Sequence, residues 1–355
     1  MKILVDISTN NSIFSGVSRY ALNILHGFTE NGFKDIIILA SPQIYNYVKE
    51  IFPNYKCIKS EYKKGGMFSN LIRLSRQINQ IDCDIVFATV PGKFLLGCKK
   101  PIVQTIHDLQ YFLSSGSLNA SVMKWIMPFI LIKSKKIITI SNFVGAEIKR
   151  HYPFVPKTKL YTIYNSVYLP TLNLPITRKN YILYVSRLEK TKNVLTLLKA
   201  FNLIKNKTDV NLKLIGKGNT YWHKELYPYI VKNDLEKRVE LISESLSDRE
   251  LFKMYQESKM LVHPSIAEGF GYTPIEAAIL CTPVITTKMA SLYETTKGLL
   301  RYCDDPYNPT ELAEQILSVL EYPPSADSLN MISRYLAETY NCKTLSADVY
   351  NLITQ

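Results

Sequence analysis

The sequence lacks the features that mark exported and membrane-spanning chains. Its six cysteines form no CxxC pair, which favours reduced thiols in a cytoplasm over a disulfide or zinc framework. Residues 1–10 hold one lysine and an apolar run too short for a signal peptide. The most apolar stretch, residues 125–132, is interrupted by Pro128 and is too short to span a bilayer. We therefore predict a cytoplasmic globular protein.

Acidic residues are scarce in the first half of the chain. The net charge is +13 over 355 residues, and residues 1–170 hold 21 Lys and Arg against 9 Asp and Glu. A one-sided basic surface is typical of proteins with an anionic partner, such as membrane headgroups or a phosphorylated lipid or polymer. A lysine-rich solvated face is the plain alternative. No helix-turn-helix, zinc-finger or RRM-type signature accompanies the charge, so we expect no nucleic-acid partner.

Short β-branched runs alternate with amphipathic stretches along the whole chain, and ten of them predict buried parallel strands. They lie at residues 2–8, 35–40, 84–90, 101–108, 135–141, 181–186, 211–216, 239–243, 260–265 and 282–287. Helical periodicity follows several of them, at residues 17–32, 69–80 and 193–205. Strands that alternate with helices form doubly wound sheets, so we predict an α/β fold of two Rossmann-like domains.

Two prolines, Pro170 and Pro175, place the domain boundary within residues 168–180. We predict an N-terminal domain over residues 1–169 and a C-terminal domain over residues 176–337. Ligands bind at the carboxyl ends of the strands in such sheets, so the two domains are expected to face a central cleft lined by strand ends.

Five residues near predicted strand ends are candidates for that cleft. Gly16 precedes a helix, where backbone N–H groups face an anion, although a plain loop glycine is equally consistent because the GxGxxG fingerprint is missing. His107 ends an apolar strand, where a buried imidazole bonded to backbone is the common case. Arg187 and Lys192 offer two cations that could hold a diphosphate; the alternative is that both are ordinary surface charges. Glu268 is the fifth candidate, because it follows a predicted strand.

The stretch AEGFGYTPIEA, residues 267–277, places two carboxylates eight positions apart, at Glu268 and Glu276. One interpretation is architectural: Thr273 as N-cap, Pro274 at the first helical position and Glu276 reaching back would form a capping box. The other is a ligand site, and no capping role explains Glu268. Both interpretations can hold in one segment if the helix begins at a bound nucleotide.

The second half of the chain resembles the retaining GT-B glycosyltransferases of the group 1, or GT4, family. The likeness lies in YILYVSRLEKTKNVLTLLKAF, then LKLIGKGN, then the segment from LFKMYQESKMLVHPS through EGFGYTPIEAAILCTPVITT. The first half is similar through FSGVSRYALNIL, TIHDL and IITISNF. This resemblance implies a retaining glycosyltransferase that moves a sugar from a nucleotide sugar to a glycan or lipid-linked acceptor in surface polysaccharide biosynthesis.

The resemblance also implies a role for each motif residue. Glu276 would hydrogen-bond the ribose of the donor, Glu268 would lie against the donor sugar, and His107 would contact the transferred sugar. Arg187 and Lys192 would neutralise the leaving diphosphate, so neither a metal nor another cofactor is expected. The remaining donor-binding residues would be Gly16, Gly269, Phe270 and Gly271. The nucleotide domain is the second one, and by family analogy a last helix, at about residues 338–355, returns to the first.

Asp82 and Asp84 form a DxD pattern, which holds a metal in one large class of sugar transferases. Here the pattern opens the strand at residues 84–90, and so lies at the end of the sheet opposite the expected cleft. We interpret the two carboxylates as structural.

Three glycines of the family pattern are replaced in this chain, by Ser166, Ser186 and Cys281. These small residues stand near backbone that contacts phosphate, and are expected to narrow the pocket without abolishing it. The donor, whether GDP-mannose, a UDP-hexose or dTDP-rhamnose, stays open, as do the acceptor linkage and the oligomeric state.

The basic first half suggests an acceptor carried on an undecaprenyl-diphosphate-like lipid at the inner face of the cell membrane. Residues 121–136, with Trp125 and flanking lysines, are candidates for contact with that anionic surface; a buried helix is the alternative. Two other functions are kept open: a nucleotide-sugar epimerase on the same fold, and a catalytically silent family member that acts as a partner subunit or a basic membrane-binding module.

Overall fold

The computed structural model describes residues 1–63, 67–109, 118–169 and 177–355. The chain divides into two compact units: unit 1 is Met1–Tyr168 with Tyr340–Gln355, and unit 2 is Leu169–Thr339. Each unit is a parallel sheet whose strands alternate with helices along the chain. The predicted α/β fold with two Rossmann-like units is therefore confirmed.

Among the described residues, unit 1 has seven parallel strands in the spatial order β3-β2-β1-β4-β5-β6-β7. They are β1 (Ile3–Ile7), β2 (Ile36–Ala40), β3 (Lys56–Lys59), β4 (Ile85–Ala88), β5 (Ile102–Ile106), β6 (Lys136–Thr139) and β7 (Leu160–Thr162). The helices between them are α1 (Gly16–Glu30), α2 (Tyr45–Ile51), α3 (Met67–Gln80), α4 (Leu118–Lys133) and α5 (Asn142–His151). The strand order reverses between β1 and β4, which is where ligands bind in open α/β sheets.

Unit 2 has six parallel strands among its described residues, in the order β10-β9-β8-β11-β12-β13. They are β8 (Tyr181–Val185), β9 (Asn211–Ile215), β10 (Val239–Ile242), β11 (Met260–His263), β12 (Val284–Thr287) and β13 (Arg301–Cys303). The helices are α6 (Val194–Ile204), α7 (Tyr227–Lys232), α8 (Asp248–Glu257), α9 (Tyr272–Ile279), α10 (Leu292–Thr295), α11 (Pro309–Glu321) and α12 (Ala326–Thr339). The reversal here lies between β8 and β11.

The core of each unit lies on the central strands. All five residues of β1 are buried, and its neighbours pair with it in register, Ile3 opposite Ile36 on one side and Ile85 on the other. Parallel strands covered on both faces are mostly apolar, which is the pattern that predicted them, and Asp6 is the one polar residue of β1. Three strands at or near sheet edges, β3, β7 and β13, were not predicted and are only partly buried.

A last helix, α13 (Cys342–Thr354), belongs to unit 1 and packs along α1. The close approach requires Gly27, because a Cβ there would collide with the side chain of Ser346. Phe33 stacks on Tyr350 with ring centroids 3.8 Å apart. Lys136 Nζ on β6 donates to the carbonyl of Leu352, 2.8 Å away, so the helix is also tied to the sheet.

The two acidic residues of the DxD pattern lie at the amino end of β4. Lys2 pairs with Asp82 through its ammonium group, and its backbone N–H donates to Asp84 Oδ2 at 2.7 Å. Both carboxylates thus bind the segment that enters β1, as a structural role requires.

In the part of the chain that the structure describes, no helix is long and apolar enough to cross a bilayer.

Candidate functional site

The candidate site of unit 2 is assembled where β8 and β11 end. His263 is the last residue of β11, and residues 264–271 connect it to α9. Lys192 lies on the connection from β8 to α6, and Ile266 N–H donates to the carbonyl of Thr191 at 2.9 Å, so the two connections are bonded to each other. The strand-order reversal therefore brings Lys192 and Glu268 together, although 76 positions separate them.

Lys192, His263 and Glu268 form a buried charged cluster. Lys192 Nζ donates to Glu268 Oε1 at 2.7 Å and to the Ala267 carbonyl at 3.0 Å, and the Lys192 side chain is only 5% exposed. His263 Nε2 donates to the same carboxylate oxygen at 3.0 Å. Burial alone would raise the pKa of Glu268, but the hydrogen bond from His263 and the positive charge of Lys192 lower it to about 2. Glu268 is therefore an anion at neutral pH.

His263 was missed by the sequence analysis. The available signal was its position as the final residue of a strand, five positions before Glu268. A carboxylate oxygen can only accept, so the bond to Glu268 places a proton on Nε2. The other ring nitrogen, Nδ1, is buried and has no hydrogen-bond partner among the described residues.

Hydroxyl groups hold the loop that carries Glu268. Ser291 Oγ donates to the Glu268 carbonyl at 2.9 Å, and Thr295 Oγ1 donates to the Phe270 carbonyl at 2.6 Å. The Phe270 ring is buried. Phe270 is thus a packing residue: its ring is buried and its carbonyl ties the loop to Thr295. Gly269 lies between these two fixed carbonyls.

The start of α9 differs from the prediction. The helix begins at Tyr272 with Gly271 as N-cap, and no side chain caps it. Gly271 has φ +85°, a left-handed conformation that favours glycine, and a Cβ there would lie 2.6 Å from Leu292. The predicted capping box with Thr273 as N-cap is therefore wrong. Glu276 lies inside the helix, five positions after the N-cap.

Glu276 lies in the first turns of α9 and is buried at 3% exposure. Tyr255 Oη donates to its Oε2 over 3.5 Å, a long hydrogen bond.

Arg187 is placed differently from Lys192: its side chain is 67% exposed and pairs with Glu189 at 2.8 Å. Of the two predicted cations, the structure brings Lys192 to Glu268 and leaves Arg187 at the surface.

The candidate residues of unit 1, Gly16 and His107, come after β1 and β5 in the chain. His107 follows β5, and its Nε2 donates to the Thr89 carbonyl at 2.7 Å, while its ring lies edge-on to Tyr20 at 4.9 Å. Burial lowers the pKa of His107, so the ring is neutral and its lone pair lies on Nδ1. Gly16 is the first residue of α1, whose N-cap Ser15 accepts from the Ser18 N–H.

A buried acid at the end of β1 was also missed. The Asp6 carboxylate accepts from the Ser8 N–H at 3.0 Å through Oδ1, and its Oδ2 has no partner among the described residues. The same holds for Ser8 Oγ and Asn10 Nδ2 just after it. Burial raises the pKa of Asp6 to about 6. An unsatisfied acid at the ligand end of a sheet is typical of functional sites.

The three residues that replace family glycines differ in their backbone. Cys281 has φ +59°, so a side chain stands where glycine is favoured, and its Sγ lies 3.4 Å from Asn330 Oδ1. Ser166 is buried, and its carbonyl accepts from Asn23 at 2.6 Å. Ser186 follows β8 and donates its N–H to Ile215. Only Cys281 of the three has a conformation that favours glycine.

Two family models match this chain. The model for glycosyl transferases group 1 matches residues 173–335, and the model for glycosyltransferase family 4 matches residues 14–169. Each match falls largely within one structural unit.

The chain is also similar to individual proteins. It is 27% identical over 303 residues to an uncharacterised glycosyltransferase of Methanocaldococcus jannaschii, covering 82% of this chain and 77% of the relative. It is 27% identical over 274 residues to the O-antigen chain mannosyltransferase B of Escherichia coli, covering 71% and 70%. The crystal structure of Anabaena HepE in complex with UDP and glucose superposes with a TM-score of 0.79 at 16% identity, covering 100% and 99%. At that identity, the superposition shows a shared fold.

Proposed function

The chain belongs to the group 1 family of glycosyltransferases, and we propose that it transfers a hexose from a nucleotide sugar to a glycan or lipid-linked acceptor. We propose further that it retains the anomeric configuration, needs no metal ion, and works in the assembly of a surface polysaccharide. The buried Lys192–Glu268 pair at the ligand end of the unit 2 sheet carries this proposal.

Lys192 would serve as the fixed cation for the leaving diphosphate. Its ammonium group has three N–H donors, and two of them go to Glu268 and to the Ala267 carbonyl. The third donor is left for a phosphate oxygen. An ammonium held by two bonds in a buried place needs little reorganisation when negative charge develops on the departing phosphate, which is how electrostatic stabilisation lowers a barrier.

Two further positive groups would assist. The N-terminus of α9, capped by glycine backbone alone, presents N–H groups and the positive end of the helix dipole to an anion. Arg187 is exposed and can exchange Glu189 for a phosphate. Lysine, arginine and a helix N-terminus together supply the charge that a metal supplies in other transferases.

Glu268 and His107 would contact the donor sugar, and neither would take the proton of the acceptor hydroxyl. Glu268 is an anion with a pKa of about 2, so it would stabilise the positive charge at the anomeric carbon and not act as an acid at neutral pH. The neutral His107 would accept a hydrogen bond from a sugar hydroxyl at Nδ1. In the same-face attack we propose, the anomeric C–O bond to phosphate breaks, a bond to the acceptor oxygen forms, and the phosphate oxygen takes the acceptor proton.

Glu276 would bind the ribose of the donor, whose hydroxyl groups suit a carboxylate acceptor. The donor candidates are GDP-mannose, UDP-hexoses and dTDP-rhamnose. The name of the Escherichia coli relative supports mannose, and the UDP in the Anabaena structure supports a uridine donor. The basic first half of the chain supports an acceptor that bears a lipid diphosphate, at the inner membrane face.

Donor turnover by the full chain tests the proposal. Thermal shifts with GDP, UDP and dTDP first identify the base, since stabilisation grows with affinity. The matching sugar nucleotide is then incubated with and without undecaprenyl-diphosphate-linked glycans. Nucleoside diphosphate released with acceptor, and a product of unchanged anomeric configuration, is the expected result. An isomerised donor would indicate an epimerase, and binding without turnover would indicate a silent partner subunit; either outcome overturns the proposal.

A further inference from the structure

Helix α4 exposes a row of large apolar side chains. Trp125 is 80% exposed, Phe129 61% and Ile132 60%. Positions four and three apart lie on one face of a helix, so these side chains form a continuous stripe. Soluble proteins expose such side chains singly, and a contiguous apolar patch marks an interaction surface.

The opposite face of α4 anchors the helix. Met127, Ile130 and Leu131 are each at most 2% exposed and belong to the core of unit 1. Lys159 Nζ donates to the Ile132 carbonyl at 3.0 Å, which ties the last turn of the helix to the segment before β7. The stripe is therefore presented on a firmly packed helix. The alternative of a buried helix applies to this anchoring face alone.

The charge around α4 is of one sign. Residues 109–146 contain no Asp or Glu and hold Lys124, Lys133, Lys135 and Lys136. Lys133 and Lys135 are exposed at the carboxyl end of the helix, beside Ile132 at the end of the stripe. An apolar stripe flanked by lysines, with a tryptophan among its residues, is the composition of helices that lie in the interface of an anionic bilayer.

We propose that α4 docks unit 1 on an anionic lipid bilayer. Trp125, Phe129 and Ile132 enter the boundary between headgroups and acyl chains, and Lys133 and Lys135 contact anionic headgroups. This proposal rests on the proposed function in one respect, namely that a lipid-linked acceptor gives the enzyme a reason to be at a membrane. The docking itself needs neither donor nor acceptor.

Tryptophan fluorescence tests the docking, because the sequence has two tryptophans. Trp222 is buried in unit 2, so Trp222→Phe in the full chain leaves Trp125 as a single probe at the stripe. Phosphatidylglycerol-containing vesicles without any acceptor are expected to shift its emission to shorter wavelength and to protect it from iodide. Pure phosphatidylcholine vesicles are expected to do much less, and added salt should weaken the effect.

Co-sedimentation with the same vesicles provides the mutational test. Replacing Trp125, Phe129 and Ile132 together by serine should reduce binding to anionic vesicles by roughly tenfold or more. The matched control replaces Tyr322 and Met331, which are equally exposed apolar residues in unit 2, and should bind as the wild type does. Since all five side chains are exposed, neither variant is expected to unfold, and thermal melting checks this.

Three results would overturn the inference: unchanged vesicle binding by the triple variant, equal loss in the control, or a change from dimer to monomer that reveals a self-interface at α4. Donor turnover is measured separately with a detergent-solubilised acceptor. If docking fails while turnover persists, this inference is wrong and the proposed function stands. If docking holds while no donor is turned over, the proposed function is wrong and α4 remains a membrane-binding surface.

Discussion

Lys192 Nζ and Glu268 Oε1 lie 2.7 Å apart, and the two side chains are 5% and 15% exposed. This pair connects the segment after β8 to the loop after β11. It holds a cation and an anion beside the N-terminus of α9. Because neither charge has ready access to water, each depends on the other, and removing one partner leaves the other as an uncompensated charge.

Removing Lys192 should therefore destabilise unit 2 as well as abolish turnover. Lys192→Ala leaves Glu268 buried with His263 as its remaining donor, and is expected to cost about 3 kcal/mol in the free energy of unfolding. Lys190→Ala is the matched control two positions away, since Lys190 pairs with Glu225 at the surface; an exposed pair contributes at most about 1 kcal/mol. Urea unfolding measures both. Equal effects would contradict a special role for Lys192.

The pKa of Glu268 predicts an acid-sensitive contribution to stability. In the folded protein the pKa is about 2 instead of 4.5, so the stabilisation is fully present above pH 4.5 and is lost as the pH falls toward 2. The expected loss is about 3 kcal/mol. Glu268→Gln removes this titration, so wild type and variant should differ in slope between pH 4.5 and 2 when the free energy of unfolding is followed. Parallel curves would disprove the depressed pKa.

Glu276 should govern nucleotide affinity rather than the fold of α9. Glu276→Gln keeps the shape of the side chain and removes its charge, and is expected to weaken nucleoside diphosphate binding about tenfold, the scale of one hydrogen bond to a charged group. Isothermal titration measures the affinity. Glu240→Gln, at an exposed carboxylate on β10, should bind as wild type does. Unchanged affinity in Glu276→Gln would remove the ribose assignment.

Asp6→Asn should stabilise unit 1 at neutral pH. The pKa of Asp6 is raised from 3.8 to about 6 by burial, so its contribution is fully present below pH 3.8 and is lost as the pH rises through 6. The variant should be more stable by up to about 3 kcal/mol at pH 7.5, with no difference below pH 3.8. If the carboxylate serves a ligand, activity will fall while stability rises. A variant of unchanged stability would show that Asp6 carries no burial cost.

The central strands could be predicted from the sequence because burial on both faces favours runs of mostly apolar residues. At or near the edges of a sheet that requirement disappears. β3 reads Lys56-Cys57-Ile58-Lys59, with its outer residues exposed, and such a segment resembles a loop until it is paired with β2. β7 and β13 were missed for the same reason: their structure comes from a neighbouring strand and not from their own composition.

The candidate site shows a similar limit. The local pattern correctly indicated that a helix follows Gly271. The predicted capping box was wrong, because the left-handed Gly271 is the N-cap and the helix begins at Tyr272, so that Thr273 already lies inside it. His263 and Asp6 carry only a weak signal in the sequence, because a histidine at a strand end and a single acid in an apolar strand look like ordinary core residues. What marks these two residues is a buried polar atom, His263 Nδ1 and Asp6 Oδ2, that has no hydrogen-bond partner among the described residues. Whether such an atom finds a partner depends on residues far away along the chain.

The return of α13 to unit 1 determines the order in which the two units can complete their folding during synthesis. Its buried residues Cys342, Ser346, Val349 and Ile353 cover α1, and they leave the ribosome only after the whole of unit 2. Unit 2 is one continuous stretch that can fold during translation, whereas unit 1 begins first and finishes last. A ribosome that stalls before Tyr340 therefore holds a nascent chain with α1 bare, a substrate for chaperones.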